Sequence, residues 1–391
     1  VKANIWTKLI VSIILSAAIL TIGFIAFIFT ELLGGTRFYT PLVVAVTLML
    51  VVYIILWIFN LVHPKKLTMI LTTFLVLCAL AVTGYELVKG YQNSLASLND
   101  QGVDLYEYAP FSEGTKAVKL DEPATWSVEQ NLPVLDGATA LYPLYAAFAQ
   151  ATYPEGEYDV YQSKVMSSNT VEAYRNLVLG KADIIFVAGP SKEQLDYAKG
   201  FRAELEFTPI GREAFVFFVN ERNPVENITI EQIQDIYSGE ITNWSELGGR
   251  NARIRAFQRP ENSGSQTALQ RLMEGKELMN PPKEDVIAGM GGIIQQTASF
   301  RNYRNALGYS FRFFTIEMVQ NEDVRLLKIE GVAPSEETIK SDEYPLAAEF
   351  YAVTVKDNKK PHVDEFINWI LSPQGQYLVE QTGYIPIRTF D

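Results

Sequence analysis

Residues Phe257 to Gln266 read Phe-Gln-Arg-Pro-Glu-Asn-Ser-Gly-Ser-Gln, and their types suit anion chemistry. A short apolar run, 254–257, precedes the turn, and a helical pattern, 267–273, follows it. A Ser-Gly-Ser turn entering a helix gathers free backbone N–H groups and hydroxyls at one point, where the helix dipole favours negative charge. Arg259 can clamp the same anion with its planar fork. Taken alone, the stretch reads more simply as an N-capping serine beside a surface arginine. Two other hydroxyl-rich turns, Gly137-Ala138-Thr139 and Ser167-Ser168-Asn169-Thr170, can supply further donors or merely cap helices. Nucleophilic and metal chemistry lack their usual parts. The one cysteine, Cys78, lies in an apolar run, and the two histidines, His63 and His362, are far apart. No disulfide can form within one chain.

The three turns fall where strands should hand over to helices. Residues 132–135 read as a strand, and 141–152 as a helix with Tyr142, Tyr145 and Phe148 on its core face. A strand is predicted at 158–161. A capped helix then runs from the Ser167 turn to Leu179 and stops at Gly180, before a buried strand at 184–188. This β-α-β-α-β order predicts an α/β layer with a largely parallel sheet, in which ligands sit beyond the carboxyl ends of strands. Later strands are predicted at 215–220, 306–311 and 350–354, with helices at 230–237 and 362–371 and a last one from Ser372.

The formal net charge of −12 divides unevenly. The first 90 residues hold six Lys/Arg and two acids, whereas the rest holds 27 bases and 43 acids. An acidic soluble part argues against nucleic acid as a partner, because phosphate neutralisation needs basic surface. Three apolar runs, 9–29, 41–62 and 67–88, each have about the ~20 residues a bilayer-crossing helix needs. Lys2 and Lys8 precede the first run, and His63, Lys65 and Lys66 fill the turn between the second and third. Only Arg37, near Glu31, lies between the first and second. The positive-inside rule therefore predicts a cytoplasmic N-terminus, three spans and an extracellular remainder. The expected organisation is a membrane domain at 1–90, a polar stalk at 91–130 with room for an added strand or helix against the main body, and a globular domain at 131–391.

Residues 131–391 resemble the phosphate-binding protein of bacterial ABC importers, which has a type II periplasmic-binding-protein fold. The matching pieces, in order, begin with Gly137-Ala138-Thr139 plus Pro143, Ser167-Ser168, and 236–244 (Ile-Tyr-Ser-Gly-Glu-Ile-Thr-Asn-Trp) with Gly248-Gly249. They continue with Arg259 spaced to Ser263-Gly264-Ser265, Gly308-Tyr309, Tyr344-Pro345-Leu346, and Phe366 through Gln376 to Gly383-Tyr384-Ile385-Pro386. The resemblance implies an α/β fold of two lobes, 131–208 plus 346–391 and 212–344, enclosing an anion, most simply phosphate. It implies as ligands Thr139 with the backbone of Ala140, Ser167 or Ser168, Arg259, Ser263, the Gly264 N–H and Ser265. Glu261 stands where the family places an acid that orients the arginine. It implies neither cofactor nor catalysis, and an ABC permease as partner.

The chain departs from the family pattern twice. The family carries an acid after its third strand, to accept the proton of a protonated phosphate; Ala188 or Gly189 stands there, so either Asp136 or Glu213 substitutes or the ligand is an oxyanion other than phosphate. Three spans also replace the usual cleavable signal or lipid anchor. Three roles are left open: an oxyanion-binding module serving a permease at the cell membrane, a membrane-tethered sensor or scaffold built on the same module, and, disfavoured by the missing nucleophile and metal ligands, a hydrolase.

Overall fold

A computed structural model describes residues 4–32, 38–95, 103–299, 305–356, 358–388 and 390. The chain divides into two compact units, 1–97 and 98–391. In the first, α1 (Ile5–Leu32), α2 (Tyr39–Ile58) and α3 (Pro64–Leu95) are each long and apolar enough to cross a membrane. Their apolar side chains are exposed along much of their length, Ile5, Ile22 and Leu80 among them. A soluble protein cannot leave so much apolar area in water. Phe38 stacks on Tyr85 at 4.1 Å, which ties the start of α2 to α3. Lys2 and Arg37, used above for orientation, lie outside the described residues.

In the second unit two long strands run through both halves, β3 (Leu205–Asn220) and β9 (Ala347–Val355). They pair antiparallel from Leu205↔Val355 to Ala214↔Ala347, with an irregularity between Pro209 and Gly211. On one side, β9 pairs antiparallel with β2 (Ile184–Ala188), which pairs parallel with β1 (Leu135–Gly137). On the other, β3 pairs antiparallel with β6 (Ala306–Phe311), which pairs parallel with β5 (Arg255–Ala256). The sheet is therefore mixed rather than largely parallel. The reason is the two shared strands, which traverse the molecule in opposite directions and impose antiparallel pairing on their neighbours.

Helices cover each half. In lobe one they are α4 (Tyr142–Thr152), α5 (Asn169–Val178), α6 (Lys192–Gly200), α11 (Val363–Ile370) and α12 (Pro373–Thr382). Tyr142, Tyr145 and Phe148 on α4 are fully buried, the core stripe their spacing predicts. Lobe two carries α7 (Ile230–Ser238), α8 (Gly264–Leu272) and α9 (Met290–Ala298) over a core of Phe217, Phe218, Tyr237, Trp244 and Tyr309.

Two local expectations differ from the structure. Residues 158–161 form a turn, because the Asp159 carboxylate accepts the N–H groups of Tyr161 and Gln162 at 2.8 Å each. The neighbour of β1 shrinks to one parallel bridge, Leu135 with Val165. Nor do residues 103–130, the described end of the expected stalk, stand free. Leu105, Tyr108, Ala117 and Val128 are buried in the lobe-one core, and the Thr125 N–H donates to Gln374 at 2.7 Å. These scattered apolar residues have no helical or strand period, yet they find a surface to cover.

Candidate functional site

A cavity of about 420 Å³ opens between the lobes, and four helix starts meet on it. Lobe one contributes Ala138, Thr139 and Ala140, leading into α4, and Asn169 to Glu172 at the start of α5. Lobe two contributes Ser263, Gly264 and Ser265 at α8, and Ala288, Gly289 and Met290 at α9. Each start adds N–H groups without an intrahelical acceptor and the positive end of a dipole. The lobes approach closely here: a Cβ on Gly264 would lie 3.3 Å from Thr170 Oγ1.

The α8 turn is both cap and lining. Ser263 accepts the Gln266 N–H, as an N-cap does. Ser265 and Thr139, both buried, line the cavity beside it. Arg259 stands over this turn. Its Nε and Nη1 are buried and unpartnered, and burial pushes its guanidinium down to about 10. A buried cation without a counter-charge is costly. Its placement comes from the backbone: the Arg259 N–H donates to Gln266 Oε1 and Tyr309 Oη, both at 2.9 Å, and Tyr309 Oη donates to Gln266 Oε1. Glu261 does not orient the arginine. Its side chain is exposed and accepts from Gln270 at 2.6 Å, so solvent and an amide satisfy it instead.

The lobe-one serines also sit elsewhere than expected. Ser167 is 1% exposed beside the Tyr145 hydroxyl, and neither Ser167 nor Ser168 lines the cavity. Ser168 donates its hydroxyl to Asp136 at 2.5 Å and its N–H to the same carboxylate at 2.8 Å. Asn176 and the Gly137 N–H complete the set around Asp136, at 2.9 and 2.8 Å. Burial still raises the pKa of Asp136, with these hydrogen bonds pulling against it. Asn169 takes over the capping of α5, accepting from Val171 and Glu172. On this side the cavity meets Asn169 and Thr170 instead.

Residues not singled out from sequence complete the arrangement. Asn262, in a left-handed conformation, bridges the lobes. Its Oδ1 accepts from Ser191 at 2.7 Å, its carbonyl from Gln194 at 3.0 Å, and its Nδ2 donates to Glu193 at 2.6 Å. Arg271 adds a bond to the Pro190 carbonyl at 2.6 Å, close against Gly189, where a Cβ would strike the guanidinium. Ala188 lines the cavity without an acid, and Glu213 on β3 lines it with one.

A family model for the PBP superfamily domain matches residues 128–374. The chain is 27% identical over 277 residues to the phosphate-binding protein PstS of Bacillus subtilis, covering 69% of this chain and 84% of that protein. It is 27% identical over 188 residues to PstS of Borreliella burgdorferi, where the match spans 66% of the relative, just under two thirds of its length. Among solved structures, a Clostridium perfringens protein assigned as a phosphate ABC transporter substrate-binding protein, with bound phosphate, aligns at TM-score 0.53 and 25% identity. That alignment covers 67% of this chain and all of the other.

Proposed function

Since this chain belongs to the PBP superfamily, we propose that it is a membrane-anchored solute-binding protein that captures inorganic phosphate outside the cell for an ABC permease. The observation that carries this reading is Arg259, half-buried at the cleft with two buried guanidinium nitrogens that have no partner among the described residues. A bound oxyanion would supply the missing counter-charge. Thr139, Ser263 and Ser265 would donate hydroxyls, and Ala140 and Gly264 would donate backbone N–H groups from helix starts. Ser167 and Ser168 would act from beneath, by holding the α5 turn in place. The curated relatives are named as phosphate-binding proteins, which supports capture rather than turnover.

The three apolar helices would hold the binding unit at the membrane. Lys8, Lys65 and Lys66 would face the cytoplasm and the lobes the exterior. A binding protein needs only a tether, and three spans exceed that need. This favours, as a second reading, a sensor that reports occupancy to a membrane partner. Calorimetric titration of the full chain in detergent with sodium phosphate tests the binding role. Binding is expected, with affinity falling about 100-fold in Arg259→Ala, in line with loss of a buried charged contact. No binding, or binding indifferent to that substitution, overturns it. Co-purification of an ABC permease separates transport from sensing.

A further inference from the structure

Five acidic side chains are in contention around the cleft, and four are committed elsewhere. Asp136 is fully buried, holds four donors and does not line the cavity. Glu172 pairs with Arg175 at 2.7 Å. Glu261 and Glu349 are exposed and accept from Gln270 and from the Tyr351 hydroxyl. Glu213 alone is both buried, at 8% exposure, and part of the cavity wall. It sits on β3 where that strand leaves β9, opposite Ala348. One of its oxygens, Oε1, is pinned by the Phe313 N–H.

Resting on the phosphate-binding reading, we propose that Glu213 is the specificity-determining acid of this cleft. It shares a single proton with the bound oxyanion, so preference for a protonatable oxyanion over a fully ionised one depends on pH.

The electrostatics around the group support this. Burial drives the Glu213 carboxyl up to about 8, while the Phe313 N–H and the Arg312 guanidinium pull the other way. Tyr384, from the C-terminal segment, faces it as a neutral phenol whose pKa is itself raised by burial. Arg212, its neighbour on β3, is taken by Asp342. Arg259 lines the same cavity. Below its titration, Glu213 carries a proton and can donate it to either kind of anion. Above it, the carboxylate repels sulfate, which has no proton to share, and still accepts from hydrogen phosphate, which has one.

The test is titration of the full chain in detergent with sodium phosphate, arsenate and sulfate across a pH series. The ratio of phosphate to sulfate affinity should climb by about tenfold per pH unit once Glu213 ionises, and arsenate should follow phosphate. In Glu213→Gln the ratio should be flat. A flat ratio in the unaltered chain, or an undiminished climb in Glu213→Gln, overturns the proposal. Should Glu213→Gln not fold, Glu213→Asp must at least displace the pH at which the climb begins, and an unmoved onset overturns it too. If neither anion binds, or Arg259→Ala has no effect on either, the phosphate reading fails instead. Binding that needs Arg259 but discriminates independently of pH sinks only the role of Glu213.

Discussion

The turn at 167–170 and the turn at 263–265 are close in composition, each a run of small hydroxyl residues entering a helix. In lobe two, Arg259 keeps hydrogen-bonding capacity in reserve, and it lines the cleft together with Ser265. In lobe one, the hydroxyl of Ser168 is spent on Asp136 and that of Ser167 is buried away from the cavity. The difference lies in what is underneath. A buried carboxylate under α5 draws in four donors, two of them from Ser168, while the Ser167 hydroxyl stays buried without a partner among the described residues. Leaving the carboxylate short of partners would cost more than any one bond returns. Under α8 the polar neighbour is Gln266, whose amide oxygen is already filled by Tyr309 and the Arg259 N–H. Like residues thus serve the fold on one side and stay available for a ligand on the other.

Substitutions can break this contrast. The largest effects should come from the charged residue of each turn. Asp136→Asn should destabilise the folded chain by about 2 kcal/mol, since an amide nitrogen then confronts hydrogen-bond donors. Arg259→Ala should leave thermal stability unchanged or higher, because it removes an uncompensated cation. Melting curves without ligand, read beside phosphate titrations, decide this, and a lower Tm in Arg259→Ala would count against a reserved binding group. The hydroxyls should show the same split on a smaller scale. Ser265→Ala should weaken phosphate binding by about tenfold, the worth of one hydrogen bond to a charged group, with no change in Tm. Ser168→Ala should do the reverse, lowering stability by about 1 kcal/mol with little change in affinity. The smallest effect should come from Asn262→Ala, which cuts the side-chain bonds to Ser191 and Glu193 and leaves the backbone carbonyl bonded to Gln194. Affinity should fall only severalfold, and a larger radius of gyration by small-angle scattering should show that closure, rather than anion contact, has been lost.

Much of this was legible in the residues. Apolar runs of bilayer length predicted three helices, and three are present. The Ser-Gly-Ser turn predicted entry into a helix read over 267–273, and the helix begins slightly earlier, at Gly264. The α/β two-lobed fold followed from the spread of matching segments, and Arg259 and the α8 turn do share a cavity with Thr139 and Ala140. What escaped depends on partners distant in sequence. Nothing near Ser168 announces that Asp136, 32 residues earlier, will claim its hydroxyl. Glu261 lies two residues from Arg259, yet the chain turns its carboxylate to Gln270. The antiparallel pairing of β9 with β2 and β3 joins segments more than 130 residues apart, beyond any local periodicity. Asn262 reads as an ordinary turn residue until the opposite lobe arrives.

The passage of β3 and β9 between the lobes bears on the order in which the protein can be made. Most of the core of lobe two comes from one stretch, 214–344, to which Ala140 and Ile385 are added. The core of lobe one draws on Leu105 and Tyr108 at one end and on Phe366, Trp369, Leu378 and Tyr384 at the other. A chain emerging from its N-terminus can therefore assemble most of lobe two while lobe one still waits for its last helices. Until they arrive, Tyr145 and Phe148 lack much of their cover, so the half made first is the half finished last. A ribosome or a membrane exit pore would hold lobe one open over that interval, and chaperones that recognise exposed aromatic residues would find their substrate there.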